Sequence, residues 1–165
     1  MEGVAASKVE IVAFCNYPGQ DYVSQDYYHK TYNFTDRSFS EWFNTYYANQ
    51  DGYGWAISGD FIKKAKIVYE FETFFNQSAY IYPVQALYFR ALGAQAANMW
   101  TYTFNEIAPY FGGSHFLNLR YTPAKAASFI VAEKIFSNTA TGIQLTVADE
   151  MQGENWCISK SHDTA

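Results

Sequence analysis

The sequence predicts an α/β chain, mostly helical with a few sheet strands, whose sheet it does not complete by itself. Three observations carry that expectation. Apolar residues recur at helical spacing in four stretches, beginning near Asp36, Lys63, Pro83 and Thr122. One segment, Met99-Trp100-Thr101-Tyr102-Thr103-Phe104, alternates aromatic side chains with threonine, the period of a strand. A buried strand needs partners for its N–H and C=O groups, so a single convincing strand points to neighbours outside this chain.

Taken in order, Val9-Glu10-Ile11-Val12-Ala13-Phe14 is short, apolar and β-branched, consistent with a strand or the exit from one. It runs into the turn signal Tyr17-Pro18-Gly19, and residues 20–34 read as a polar, tyrosine-rich loop. Thr35-Asp36 caps a helix carrying Phe39, Trp42, Phe43 and Tyr46, which Asp51-Gly52-Tyr53-Gly54 breaks. A second helix is expected over Lys63 to Phe75, with Ile67, Val68, Phe71, Phe74 and Phe75 on one face. Pro83 sits where a first helical residue should, ahead of Val84, Leu87, Tyr88 and Ala91, with Gly93 or the residues after it as the stop. The aromatic–threonine strand follows, then a loop with Pro109, Gly112, Gly113 and His115. Thr122-Pro123 caps a helix to about Phe136, with Ala127, Ile130, Val131 and Ile135 inward. The pattern decays after Asn138, and residues 138–165 read as a C-terminal tail.

Composition removes several function classes. With 49% hydrophobic and 20% aromatic residues the chain is not a disordered one. Its formal charge is −5, and its densest basic stretch, Lys63-Lys64-Ala65-Lys66, is too short for a phosphate track, so no nucleic-acid partner is expected. No run of eighteen apolar residues exists, hence no transmembrane segment, and the start Met1-Glu2-Gly3 lacks the basic and apolar regions of a signal peptide. Cys15 and Cys157 fit no metal spacing, and no cofactor is expected. The sequons at Asn33 and Asn76 would be surface glycan sites in a secreted protein.

Two side chains stand out for chemistry. His115 follows a strand, a loop and two glycines, the kind of turn where side chains react; a loop histidine bonded to backbone is the plainer alternative. Glu10 is a carboxylate within an apolar segment, either solvated at a strand end or paired. His29 and His162 lie in unpatterned stretches.

Together these residues resemble a family. Gly3-Val4-Ala5-Ala6-Ser7-Lys8-Val9-Glu10, followed by Phe14, resembles the segment around the triad acid of type-B carboxylesterases, lipases and cholinesterases. Trp100 to Phe104 and Gly112-Gly113-Ser114-His115-Phe116-Leu117-Asn118-Leu119-Arg120-Tyr121 resemble that family's last sheet strand and histidine loop. Tyr82-Pro83-Val84-Gln85-Ala86-Leu87 resembles the proline that leads into the helix between them. The 105 positions separating Glu10 from His115 are close to the acid-to-base interval of the resembled family. Three departures accompany the likeness: Ile11 stands where a glycine is usual, Asn118 where an acidic residue is usual, and the segment from Gly3 to Glu10 is longer.

The resemblance implies a partial α/β-hydrolase domain over residues 1–137, with His115 as general base and Glu10 holding its imidazole. The serine would lie upstream, since this fold orders its triad Ser, acid, His, and no Gly-x-Ser-x-Gly elbow occurs in the chain. The implied activity is that of a secreted carboxylic ester hydrolase on an ester or lipid substrate, with this portion inactive alone. The alternative is a small, non-catalytic, aromatic-rich module that binds carbohydrate or protein.

Overall fold

Three strands, β1 (Ile11–Asn16), β2 (Ala65–Phe71) and β3 (Ala94–Met99), run parallel in the order β1-β2-β3. They come from a computed structural model of the chain, which describes residues 2–16, 38, 40, 53–72, 79–110, 116–163 and 165. A short helix, α1 (Glu2–Ala5), precedes β1, and α2 (Ile81–Ala91) joins β2 to β3. The helix α3 (Pro123–Asn138) packs on α2, and an antiparallel hairpin, β4 (Glu150–Gln152) with β5 (Cys157–Ser159), closes the chain. The protein is therefore mixed α/β, as expected, with a small parallel sheet.

Pairing sorts the sheet residues onto two faces. Val12 lies beside Lys66 and Phe14 beside Val68, and all four are buried. Phe71 extends this inner face and meets Tyr82, Phe89 and Phe129 at ring-centroid distances of 5.7, 5.2 and 6.4 Å, joining sheet to both long helices. The opposite face pairs Ile11 with Ala65 and Ala13 with Ile67. There Ile11 is 55% exposed and Tyr69 51%. Parallel sheets are ordinarily covered on both faces, so this one has a layer to spare.

Helix α2 is buried at nine successive positions, Ile81 to Phe89. Pro83 is its third residue rather than its first, still within the turn whose N–H groups have no helical acceptor. Gly93, at φ +85°, takes the left-handed conformation that ends the helix. Arg90 then ties three elements: Nε donates to the Thr139 carbonyl at 2.6 Å, Nη1 to Ala94 at 3.0 Å, and its guanidinium lies 4.8 Å from the Phe136 ring centre.

Several expectations need correction. Residues 65–71 form β2, not the middle of a helix, and 3-10 turns at Gly54–Ile57 and Gly59–Lys63 precede it. Ile67, Val68, Tyr69 and Phe71 satisfy helical spacing but are β-branched or aromatic, and strands on both sides settle the choice. The third strand of the parallel sheet is Ala94–Met99 rather than Met99–Phe104; beyond it Trp100 N–H still donates to the Phe71 carbonyl, and Tyr102 forms an isolated bridge with Leu117. The aromatic–threonine alternation is real, but Trp100, Tyr102 and Phe104 face solvent while Thr103 is buried. In α3 the inward face is Lys125, Ala126, Ser128, Ala132 and Ile135; Ala127 and Ile130 point outward. Residues after Asn138 hold the hairpin, whose Ile158 is 1% exposed within the core. The helix expected from Asp36 to Tyr46, the 20–34 loop, and the sequons at Asn33 and Asn76 lie outside the described residues.

Candidate active site

Two short segments flank residues 111–115 in the chain. Leu117 N–H donates to the Thr101 carbonyl at 2.9 Å, and Thr103 N–H to the Leu117 carbonyl at 3.0 Å. Asn118, fully buried, locks their base. Its Nδ2 donates to the Thr103 carbonyl at 2.6 Å and to Asn105 Oδ1 at 3.0 Å. Its Oδ1 accepts from the N–H groups of Arg120 and Tyr121 at 2.8 and 3.0 Å, an Asx turn. Thr122, expected as a helix cap, makes no side-chain cap bond. Its hydroxyl instead accepts from Asn118 N–H at 2.9 Å and donates to the Asn118 carbonyl at 3.0 Å.

Beneath this base lies a buried ion pair. Lys125 Nζ sits 2.8 Å from Glu72 Oε1, with both side chains at 0% exposure. The same ammonium donates to the Phe116 carbonyl at 3.1 Å and lies 5.5 Å from the Tyr82 ring centre. Tyr82 completes the set by donating its hydroxyl to Glu72 Oε1 at 2.5 Å. Burial holds Lys125 below the usual lysine range, opposed by the carboxylate beside it. Burial, and then the Glu72 charge, push the Tyr82 phenol well above its ordinary value. Phe116 is the residue after His115, so helix α3 bonds the chain one residue beyond the histidine. Sequence reasoning missed this pair; its one signal is Lys125 within the apolar run Ala124 to Ala127.

The residues singled out by sequence fare unequally. His115, with Gly112, Gly113 and Ser114, lies outside the described residues. Glu10 is exposed immediately before β1, its carbonyl accepting from Ala65 N–H at 2.9 Å. Gly3 and Val4 belong to α1, not to a strand leading to the acid. Glu10 thus stands at the amino edge of the sheet, whereas Trp100 to Phe104 leave from the carboxyl edge. The six residues of β1 separate those edges by roughly 20 Å. The buried carboxylate at the carboxyl edge is Glu72, already engaged by Lys125 and Tyr82. Cys15 and Cys157 are free thiols. Among the described residues no three His, Cys, Asp or Glu groups gather to hold a metal, and no helix is long and apolar enough to cross a membrane.

A second polar cluster occupies the terminal hairpin. Ser161 donates to Glu150 Oε1 at 2.5 Å, and the hydroxyls of Ser159 and Ser161 each lie 3.0 Å from His162 Nδ1. His162 N–H donates to Ser159 Oγ at 3.1 Å, capping the turn. Both serines meet the same ring nitrogen and the carboxylate holds a serine instead of the imidazole, so the order of a nucleophile–base–acid relay is absent. These hydrogen bonds, chiefly from Ser159 and Ser161, hold Glu150 below the ordinary carboxylate value. A depressed carboxylate stabilises above its unfolded pKa and loses that contribution as pH falls through the folded one. The hairpin is expected to loosen in acid below the ordinary value of 4.5, with Glu150→Gln removing that pH dependence. Amide exchange of Cys157–Ser159 against pH checks it; an unchanged profile in the variant contradicts it.

No protein-family model, no curated protein and no solved structure matches this chain.

Proposed function

We propose that the chain is a portion of a secreted carboxylic ester hydrolase of the carboxylesterase and lipase type. In this reading His115 takes the proton of a serine supplied upstream and returns it to the leaving alcohol. The observation that carries the reading is the local order of the chain. A crossover helix leads to a parallel strand that ends at the carboxyl edge of the sheet, and His115 follows in sequence, one residue ahead of the Phe116 carbonyl that Lys125 holds. Ligands of open α/β sheets bind at that carboxyl edge. The sheet face left bare at Ile11 and Tyr69 agrees with further layers supplied by the rest of the enzyme. The acid role that the resemblance gives Glu10 draws no support from its seat at the amino edge. The reading also places glycans at Asn33 and Asn76 and an ester or lipid in the complete site.

The gene upstream of the Met1 codon, read for an elbow serine, tests the proposal together with an assay on p-nitrophenyl esters. The extended protein should hydrolyse them. His115→Ala should lose at least about a thousandfold, the scale on which triad members act. Full activity in that variant sinks the reading, and full activity in Glu10→Gln removes Glu10 alone.

One observation favours the second reading, an aromatic binding module. Trp100, Tyr102, Phe104 and Tyr110 are 50, 49, 68 and 86% exposed along one short stretch, with the Tyr102 and Phe104 rings 6.2 Å apart, and grouped exposed rings of this kind mark interaction sites. A soluble monomer with one sharp melt and tight binding on a glycan array would support the module over the fragment.

A further inference from the structure

A cleft opens where α2, α3 and the sheet meet, and it encloses about 430 Å³ counting its open mouth. Helical spacing assembles it: Tyr82, Ala86 and Phe89 line it from α2, and Phe129, Ala132 and Phe136 from α3. The rings among them are already held in place. Phe71 touches Tyr82, Phe89 and Phe129, and Tyr82 meets Phe129 edge-on with ring centres 5.7 Å apart. Ala86, Ala132 and, from β3, Ala97 are too small to fill the space between these rings. Interiors are otherwise packed as densely as organic crystals, so the gap is a place for something to enter.

The polar lining is sparse and specific. Glu133 is the only charged residue lining the cleft among the described residues. It is exposed, and Ser137, one turn later and also in the lining, donates to its Oε1 at 2.9 Å. Arg90 rests against the Phe136 ring but does not line the cleft; its Nε and Nη1 serve the carbonyls of Thr139 and Ala94. Tyr82 gives its hydroxyl to Glu72, which leaves its ring for the cleft.

We propose that this cleft binds a small aryl-alkyl ammonium compound. Its single aromatic ring enters among Phe71, Tyr82 and Phe129, where edge-to-face and offset contacts favour another ring. Its ammonium, on a short chain, meets Glu133 and Ser137 at the mouth, and neighbouring ring faces also attract a cation. The volume lies toward the lower end of the roughly 300–1,000 Å³ of ligand pockets, which admits one ring and a short chain but not a long acyl chain. The site uses neither His115 nor Glu10 and stands or falls apart from the esterase reading.

Three probes of nearly one shape and different charge test it: phenethylamine, 2-phenylethanol and 3-phenylpropionate, each titrated into the whole chain while backbone amide shifts are followed by NMR. Phenethylamine should saturate with a Kd of about 1 mM or tighter, as expected for so small a ligand, and move the amides of Ala86, Ala97, Ala132 and Glu133 together. The alcohol should bind about threefold more weakly, having lost an ion pair with an exposed carboxylate, and the carboxylate probe more weakly still. Glu133→Gln, an exposed position where the fold tolerates change, should bring the amine to the level of the alcohol and leave the alcohol as it was. Ala97→Leu should fill the cleft and abolish the shifts for all three. Should that variant fail to fold, the charge series and Glu133→Gln decide alone.

Equal affinity for the three probes overturns the proposal, as does an amine preference that survives Glu133→Gln. Shifts that avoid the lining residues, or no saturable shift up to the solubility of the probes, also overturn it, since the cleft is then a packing gap only.

Discussion

Lys125→Met is expected to cost about 3–5 kcal/mol of folding stability, the penalty for leaving a buried carboxylate without its cation. Glu72 is fully buried and its Oε1 is shared by Lys125 and Tyr82. Methionine fills the lysine stem but removes the ammonium 2.8 Å from Glu72 Oε1 and the donor that it gives to the Phe116 carbonyl. The loss is a large share of the roughly 5–15 kcal/mol that ordinary domains possess. The double variant Lys125→Met with Glu72→Leu should recover most of it, because removing both charges removes the desolvation penalty. Urea unfolding of wild type, single and double variants measures all three. A single variant within about 1 kcal/mol of wild type would show that water reaches Glu72.

Asn118→Asp should cost about 2–4 kcal/mol, even though the resembled family usually carries an acidic residue there. The amide is the only group of its size that donates and accepts on opposite sides. Its oxygen already holds two backbone N–H groups, and its nitrogen faces two oxygens, those of Thr103 and Asn105. A carboxylate keeps the first pair and sets charge against the second at hydrogen-bonding distance. Denaturant midpoints decide the matter, and the check is specific. Asn118→Ala should lose both pairs and fall further, whereas an aspartate variant as stable as wild type would mean that the loop base rearranges freely.

How far the sequence could be read follows from these residues. Elements marked by local backbone chemistry were legible: α2 with Pro83 at its start and Gly93 after its end, and α3 behind Thr122-Pro123. Elements decided by distant partners were not. Ile67, Val68 and Phe71 fit a helix and a strand equally until β1 and β3 are beside them. Ala94, Ala96 and Ala97 carry little strand propensity of their own, and only pairing with β2 makes them β3. The face of α3 was misread because Lys125 looks like a solvent residue; it turns inward for a carboxylate 53 positions earlier in the chain. The alternation of Ile143, Leu145 and Val147 is present in the sequence, but a strand pattern without a partner resembles an ordinary tail. Of the candidate site, His115 lies outside the described residues, and the buried pair of Glu72 and Lys125 beside Phe116, made from a strand end and a helix, could not be foreseen.

The pairing of β1 with β2 has a kinetic consequence. Ile11 meets Ala65 across 54 positions, whereas β2 reaches β3 through one helix, Lys66 meeting Ala94 across 28. Loop closure costs roughly 0.6 kcal/mol more for each doubling of length, so the first strand returns to the sheet against the larger entropic barrier. The β2–α2–β3 unit is thus the natural nucleus, and the amino-terminal strand joins a scaffold already standing.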